Sequence, residues 1–237
     1  MPYFYYSPDS FSTYVFLVLP AVIFALWAST NVNMTFKKYA KVKAQCGWTG
    51  EMAARRILDA NGLRDVRIEH ISGNLTDHYD PRTNVIRLSD SVYSNNSAAA
   101  IGVAAHEAGH AVQYAVNYAP IHIRAAIIPV CNIGSNLAMP LVILGLLLGS
   151  YGLANIGVLA FGLATLFQLV TLPVEFNASA RAMKALSESG YMTDTDLKAS
   201  RKVLTAAALT YVAALAVSLA NLLRLFILVN GSNRRDR

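Results

Sequence analysis

With 237 residues, of which 54% are hydrophobic and only 14% charged, the chain is too apolar to be an ordinary soluble domain, and a large share of it is expected to lie in lipid. The net charge of +6 comes from basic residues gathered at segment ends, Lys37, Lys38, Lys41 and Lys43 and then Arg234, Arg235 and Arg237, a pattern that suits anionic lipid headgroups and argues against nucleic acid. Cys46 and Cys131 belong to no spacing motif, which excludes a disulfide framework and a thiolate metal site and fits a reduced, cytoplasmic-facing protein.

The opening MPYFYYSPDS lacks the basic start of a secretory signal peptide, so the apolar run after it reads as a retained anchor. About 20 mostly apolar residues are needed to cross a bilayer as a helix. The first such run spans about Phe11 to Thr30 and is preceded by Tyr3, Phe4, Tyr5 and Tyr6, an interfacial aromatic belt. Thr49 to Asn61 has helical apolar spacing and stops at Gly62, as a left-handed cap would. Val66 to Ile71 and Asn84 to Leu88 alternate apolar with polar around the turn-rich SGNLTDHYDPR, which reads as a small β-hairpin or ribbon. Asn95 or Ser97 caps the next helix, which passes through AAAIGVAA into HEAGH and on to about Val116. Two further apolar runs, about Ile127 to Leu148 and Gly152 to Leu172, are split only by Gly149-Ser150-Tyr151 and form a transmembrane hairpin. The segment EFNASARAMKAL then looks like a new helix starting near Glu175, and a last run, about Val203 to Val229, carries Asn221 and Arg224, so part of it could lie in the interface. The basic cluster after the first run places the polar segment in the cytoplasm. The hairpin returns Glu175 to that same side.

The chemistry is carried by His106, Glu107 and His110. On a helix the two imidazoles stand one turn apart and reach one tetrahedral ion, while Glu107 can take a proton from water activated by that ion and later protonate the leaving amine. A chance HExxH on an ordinary helix is the rival reading. It is weakened by the surroundings AAIGVAAHEAGHAV, where two His and a Glu would be costly to bury uncompensated. The metzincin pattern is excluded, because Gln113 and Val116 stand where it needs Gly and His. Glu175 is the candidate third ligand, completing a His₂Glu set; its rival reading is a favourable charge at a helix N-terminus. His70, His78 and His122 read as surface or turn residues.

HEAGH, the later LPVEFNAS and the earlier DHYDPR followed by IRLS resemble the YugP-like family of bacterial membrane zinc metallopeptidases, over nearly the whole chain. The resemblance implies His106, His110 and Glu175 as zinc ligands and Glu107 as catalytic acid/base. Related membrane gluzincins often carry an Asp four residues after the third ligand, where this chain has Ser179. The resulting expectation is a mainly α, polytopic membrane protein of about four transmembrane helices with a small α+β cytoplasmic zincin-like insertion. Its segments are an anchor (1–34), an α+β segment with the HExxH helix (35–120), a transmembrane hairpin (121–174), a third-ligand helix (175–202) and a transmembrane or interfacial helix with a basic tail (203–237). Val85, Ile86, Arg87 and Leu88 are candidates for binding extended peptide by β-augmentation, with a simple turn as the rival reading of DHYDPR. His78, Tyr79, Tyr114, Asn177 and Arg181 are candidate transition-state stabilisers. The expected function is zinc-dependent endopeptidase action on membrane-associated proteins or peptides at the cytoplasmic face of the bacterial inner membrane, with lipids and a homo-oligomer or regulatory membrane partner as associates. The rivals are a catalytically idle membrane scaffold and a metal carrier; the few polar groups in the spans disfavour the carrier. A site-2 protease is disfavoured by the lack of a distal Asp motif.

Overall fold

A computed structural model of the chain describes residues 8–233; the aromatic cluster Tyr3, Phe4, Tyr5, Tyr6 and the arginines Arg234, Arg235 and Arg237 lie outside the described residues. In chain order α1 (Pro8–Thr13) passes through a π-helical turn (Tyr14–Val18) into α2 (Leu19–Tyr39). There follow α3 (Gly50–Ala60), β1 (Arg67–Ile71), β2 (His78–Asp80), β3 (Val85–Ser89), α4 (Ala98–Ala115), α5 (Ala119–Leu147), α6 (Tyr151–Glu188) and α7 (Asp194–Asn233). The mainly α architecture with a small α+β part is as expected. Among the described residues, four helical stretches, Phe11–Tyr39, Ala119–Leu147, Tyr151–Glu188 and Asp194–Gly231, are long and apolar enough to cross a membrane.

The chain forms two compact units. The first takes residues 1–27, 123–172 and 210–237, the apolar stretches of the long helices. Val142, Ala154, Val158, Leu225 and Val229 are buried together within it. Its outward side chains are large and apolar, with Phe16 at 80% and Leu159 at 73% exposure, which a helical protein tolerates only where lipid replaces water.

The second unit, residues 28–122 and 173–209, carries the core built from α3, β3, α4 and the neighbouring parts of α6 and α7, including Leu58, Ile86, Leu88, Ile101 and Leu186. Local signals position its elements. Thr49 caps α3 by accepting from the Met52 N–H, and Gly62, at φ 74°, follows the helix end. Ser97 caps α4 by accepting from the Ala100 N–H. Ser200 of α7 donates to the Ala98 carbonyl at 2.7 Å, fastening the start of α4.

Two expectations are corrected. The first is the hairpin of the two alternating runs. These are β1 and β3, which pair in parallel from Arg67↔Val85 to Ile71↔Ser89, and the antiparallel partner of β3 is β2, drawn from the segment read as turn. Three residues suffice for β2 because the following turn closes directly onto β3. The second concerns Glu175, which starts no new helix. α6 runs unbroken through Pro173, so Glu175 lies in mid-helix, as proline permits when neighbouring groups satisfy the freed backbone.

Candidate metal centre

α4 is composed so that other backbones can approach it. Ala104, Ala105, Ala108 and Ala111 are buried, and a Cβ on Gly109 would fall 2.6 Å from the Ala178 carbonyl oxygen. No side chain fits there, so Gly109 sets how closely α6 lies against α4. That approach, rather than proximity in sequence, carries Glu175 to the two histidines.

His106 and His110 project from one face of α4 with ring centroids 4.7 Å apart and planes at 84°. His106 Nε2 lies 3.2 Å and His110 Nε2 3.6 Å from Glu175 Oε2, and the three side chains offer ligand atoms all within 4.8 Å of one another. Ligands about 2.1 Å from a tetrahedral ion stand roughly 3.4 Å apart, and the two measured separations bracket that spacing. Burial alone would push His110 below its ordinary pKa, yet the Glu175 and Glu107 carboxylates overcome this and hold it raised, the mark of a site that attracts positive charge. The donor set of two imidazoles and one carboxylate fits zinc and leaves a fourth position for water or substrate.

The opposite edges of both rings are held as well. His106 Nδ1 meets Ser179 Oγ at 3.1 Å, and His110 Nδ1 meets Gln113 Oε1 at 3.0 Å. Gln113, fully buried, donates through Nε2 to the Val174 carbonyl at 2.8 Å and to Asn177 Oδ1 at 3.0 Å, and Asn177 Oδ1 also accepts from Arg181 Nε at 2.7 Å. Ser179, four residues after Glu175 on α6, therefore meets His106. Gln113 escaped the sequence reading as a functional residue, and Ser179 entered it only as a departure from the expected Asp. The available signal was their spacing, three residues after His110 and four after Glu175.

A family model described as "Putative neutral zinc metallopeptidase" matches residues 14–230. The chain belongs to this family. It is also 48% identical over 219 residues, 92% of this chain and 97% of the relative, to "Putative membrane protease YugP" of Bacillus subtilis (strain 168). No solved structure matches it. Membership in the neutral zinc metallopeptidase family makes zinc the cofactor, consistent with the donor set above.

In this family member Glu107 is only 8% exposed and its Oε2 accepts from the Tyr79 N–H of β2 at 3.0 Å. The DHYDPR segment supplies β2 and the turn into β3, and its Tyr79 N–H faces Glu107. Asp77 accepts from the Ser89 N–H at 2.7 Å and hydroxyl at 3.0 Å, and burial pushes its carboxyl up, with the Glu107 charge adding to this. Asp80 accepts from Thr83 Oγ1, the Arg82 N–H and Arg87 Nη1, which lower its pKa to about 2. Together they pin the β2–β3 pair that presents Tyr79 to Glu107.

The β-augmentation assigned to Val85, Ile86, Arg87 and Leu88 is corrected. β3 is the central strand of the order β1-β3-β2, so neighbours occupy both its edges, and Val85, Ile86 and Leu88 are fully buried. A strand can add only at a free edge. Of the other candidates, His78 is exposed and its Nδ1 meets the Thr76 carbonyl, and the Tyr79 hydroxyl donates to Asn84. Asn177 and Arg181 join the network behind His110. Tyr114 stands one turn beyond His110 on α4, its ring against Tyr79 at 5.8 Å and His122 at 5.2 Å. His70 pairs with Asp90. A cavity of about 690 Å³ between α6 and α7, lined in part by Phe176, Met183, Arg201 and Leu204, meets the site through Ser179, on the Nδ1 side of His106.

Proposed function

We propose that the chain is a zinc-dependent endopeptidase in which His106, His110 and Glu175 hold the metal and Glu107 is the general base and acid. The observation that carries this reading is the convergence of His106, His110 and Glu175, from two helices distant in sequence, at tetrahedral ligand spacing. Zinc, when bound, polarises the scissile carbonyl and acidifies water. Glu107 takes the proton of the attacking water and hands it to the leaving amine; the Tyr79 N–H holds the carboxylate in place between these events. Tyr114 is the donor assigned to the developing oxyanion, since it extends the His106–His110 face by a further turn.

The substrates are membrane-associated proteins or peptides reaching the cytoplasmic face of the inner membrane. Two features support this: Glu175 stands on the same continuous helix as the apolar run 151–172, and the basic residues Lys37, Lys38, Lys41 and Lys43 follow the first span. The test is hydrolysis of an unfolded fluorogenic protein by the detergent-purified chain. Glu107→Gln should keep its zinc and lose about 10²–10⁴-fold in rate. Full activity in Glu107→Gln would sink the mechanism.

A further inference from the structure

We infer that Arg181, Asn177 and Gln113 form a positioning relay that fixes the tautomer of His110, keeping its Nε2 lone pair aimed at the metal; this rests on the ligand reading proposed above. The direction of each hydrogen bond follows from an atom that can act in only one way. A guanidinium donates and never accepts. The Asn177 atom 2.7 Å from Arg181 Nε is therefore the carbonyl Oδ1, and its partner 3.0 Å away on Gln113 must be the donor Nε2. That nitrogen also donates to the Val174 carbonyl at 2.8 Å, which imposes the same orientation. Gln113 Oε1 is left facing His110 Nδ1 at 3.0 Å and can only accept, so in the neutral imidazole that metal ligation requires the ring hydrogen sits on Nδ1 and the lone pair on Nε2, the atom beside Glu175. Gln113 is fully buried, which keeps water from replacing it in this role.

The two histidines are held differently. Ser179 presents to His106 a hydroxyl that can rotate to donate or accept, so it orients the ring without choosing a tautomer. His110 is the pre-set ligand and His106 the adaptable one. Because the acceptor behind His110 is an amide, the relay sets direction without adding a third negative charge beside Glu107 and Glu175.

The test measures zinc affinity of the full-length, detergent-purified chain by competition with a chromogenic chelator, alongside the melting temperature of the zinc-free protein. Gln113→Met, which preserves volume but removes the acceptor, should bind zinc ~10–100-fold more weakly. Asn177→Asp, which still accepts from both Gln113 and Arg181, should stay within about threefold of wild type, while Asn177→Leu should fall about tenfold. Wild-type affinity in Gln113→Met, or an equal fall in Asn177→Asp and Asn177→Leu, overturns the relay while leaving the ligand reading intact. If Gln113→Met does not fold, the Asn177 pair decides. A wild type that binds no zinc, or a His110→Ala variant that binds it normally, overturns both.

Discussion

Ser179 faces the Nδ1 edge of His106 with a hydroxyl rather than a carboxylate. A carboxylate behind a zinc-bound histidine raises ligand basicity; a hydroxyl at 3.1 Å orients the ring with less polarisation. Ser179→Ala should therefore weaken zinc binding about tenfold, whereas Ser179→Asp should match or exceed wild type, both read by chelator competition. Tyr114→Phe should lower kcat by about 10²-fold with zinc content unchanged, since a transition-state donor is missed only when charge develops. At this scale the sequence was informative where chemistry imposes local spacing. His106, Glu107 and His110 stand out because one helical turn separates two imidazoles. Gln113 did not, because its partners Val174 and Asn177 are about 60 residues away and nothing local announces them. It served only to exclude the metzincin pattern.

Among the elements, α4 was readable from its cap and its period, and the structure starts it after Ser97 as expected. The β-elements were harder. Alternation marks β1 and β3 correctly but carries no information on which strands pair or in which direction, so the parallel β1–β3 ladder and the central place of β3 had to come from the fold. The new helix read from Glu175 onward is instead the continuation of α6 through Pro173. Two expected outcomes belong here. Gly109→Ala puts a methyl group 2.6 Å from the Ala178 carbonyl; forcing α4 and α6 apart should cost about 1–3 kcal/mol and reduce zinc retention, measured by melting and metal content. The β2–β3 pair should be acid-sensitive through Asp80. Its folded pKa is depressed from 3.8 to about 2, so its contribution is present above pH 3.8 and is lost as pH falls towards about 2. The difference in melting temperature between wild type and Asp80→Asn should accordingly be largest near neutrality and shrink across that window.

For the molecule as a whole, composition and four apolar helical stretches agree in making this a polytopic membrane protein of the neutral zinc metallopeptidase family. Segmenting the chain linearly hides one feature. The unit holding the site draws on residues 28–122 and 173–209, so the polar insertion is completed by the ends of helices whose other portions belong to the apolar unit. The orientation argued from Lys37, Lys38, Lys41 and Lys43 is open to direct test. In a Cys46→Ser background, the exposed Lys41→Cys should react with an impermeant thiol reagent in inside-out vesicles and stay unlabelled in intact spheroplasts; labelling in spheroplasts would reverse the orientation. The central claim is the zinc site itself, and elemental analysis of the detergent-purified wild type beside His106→Ala and Glu175→Ala tests it most directly. The account expects near-stoichiometric zinc in wild type and its loss in both variants. Zinc absent from wild type prepared without chelators, or undiminished in Glu175→Ala, would contradict it.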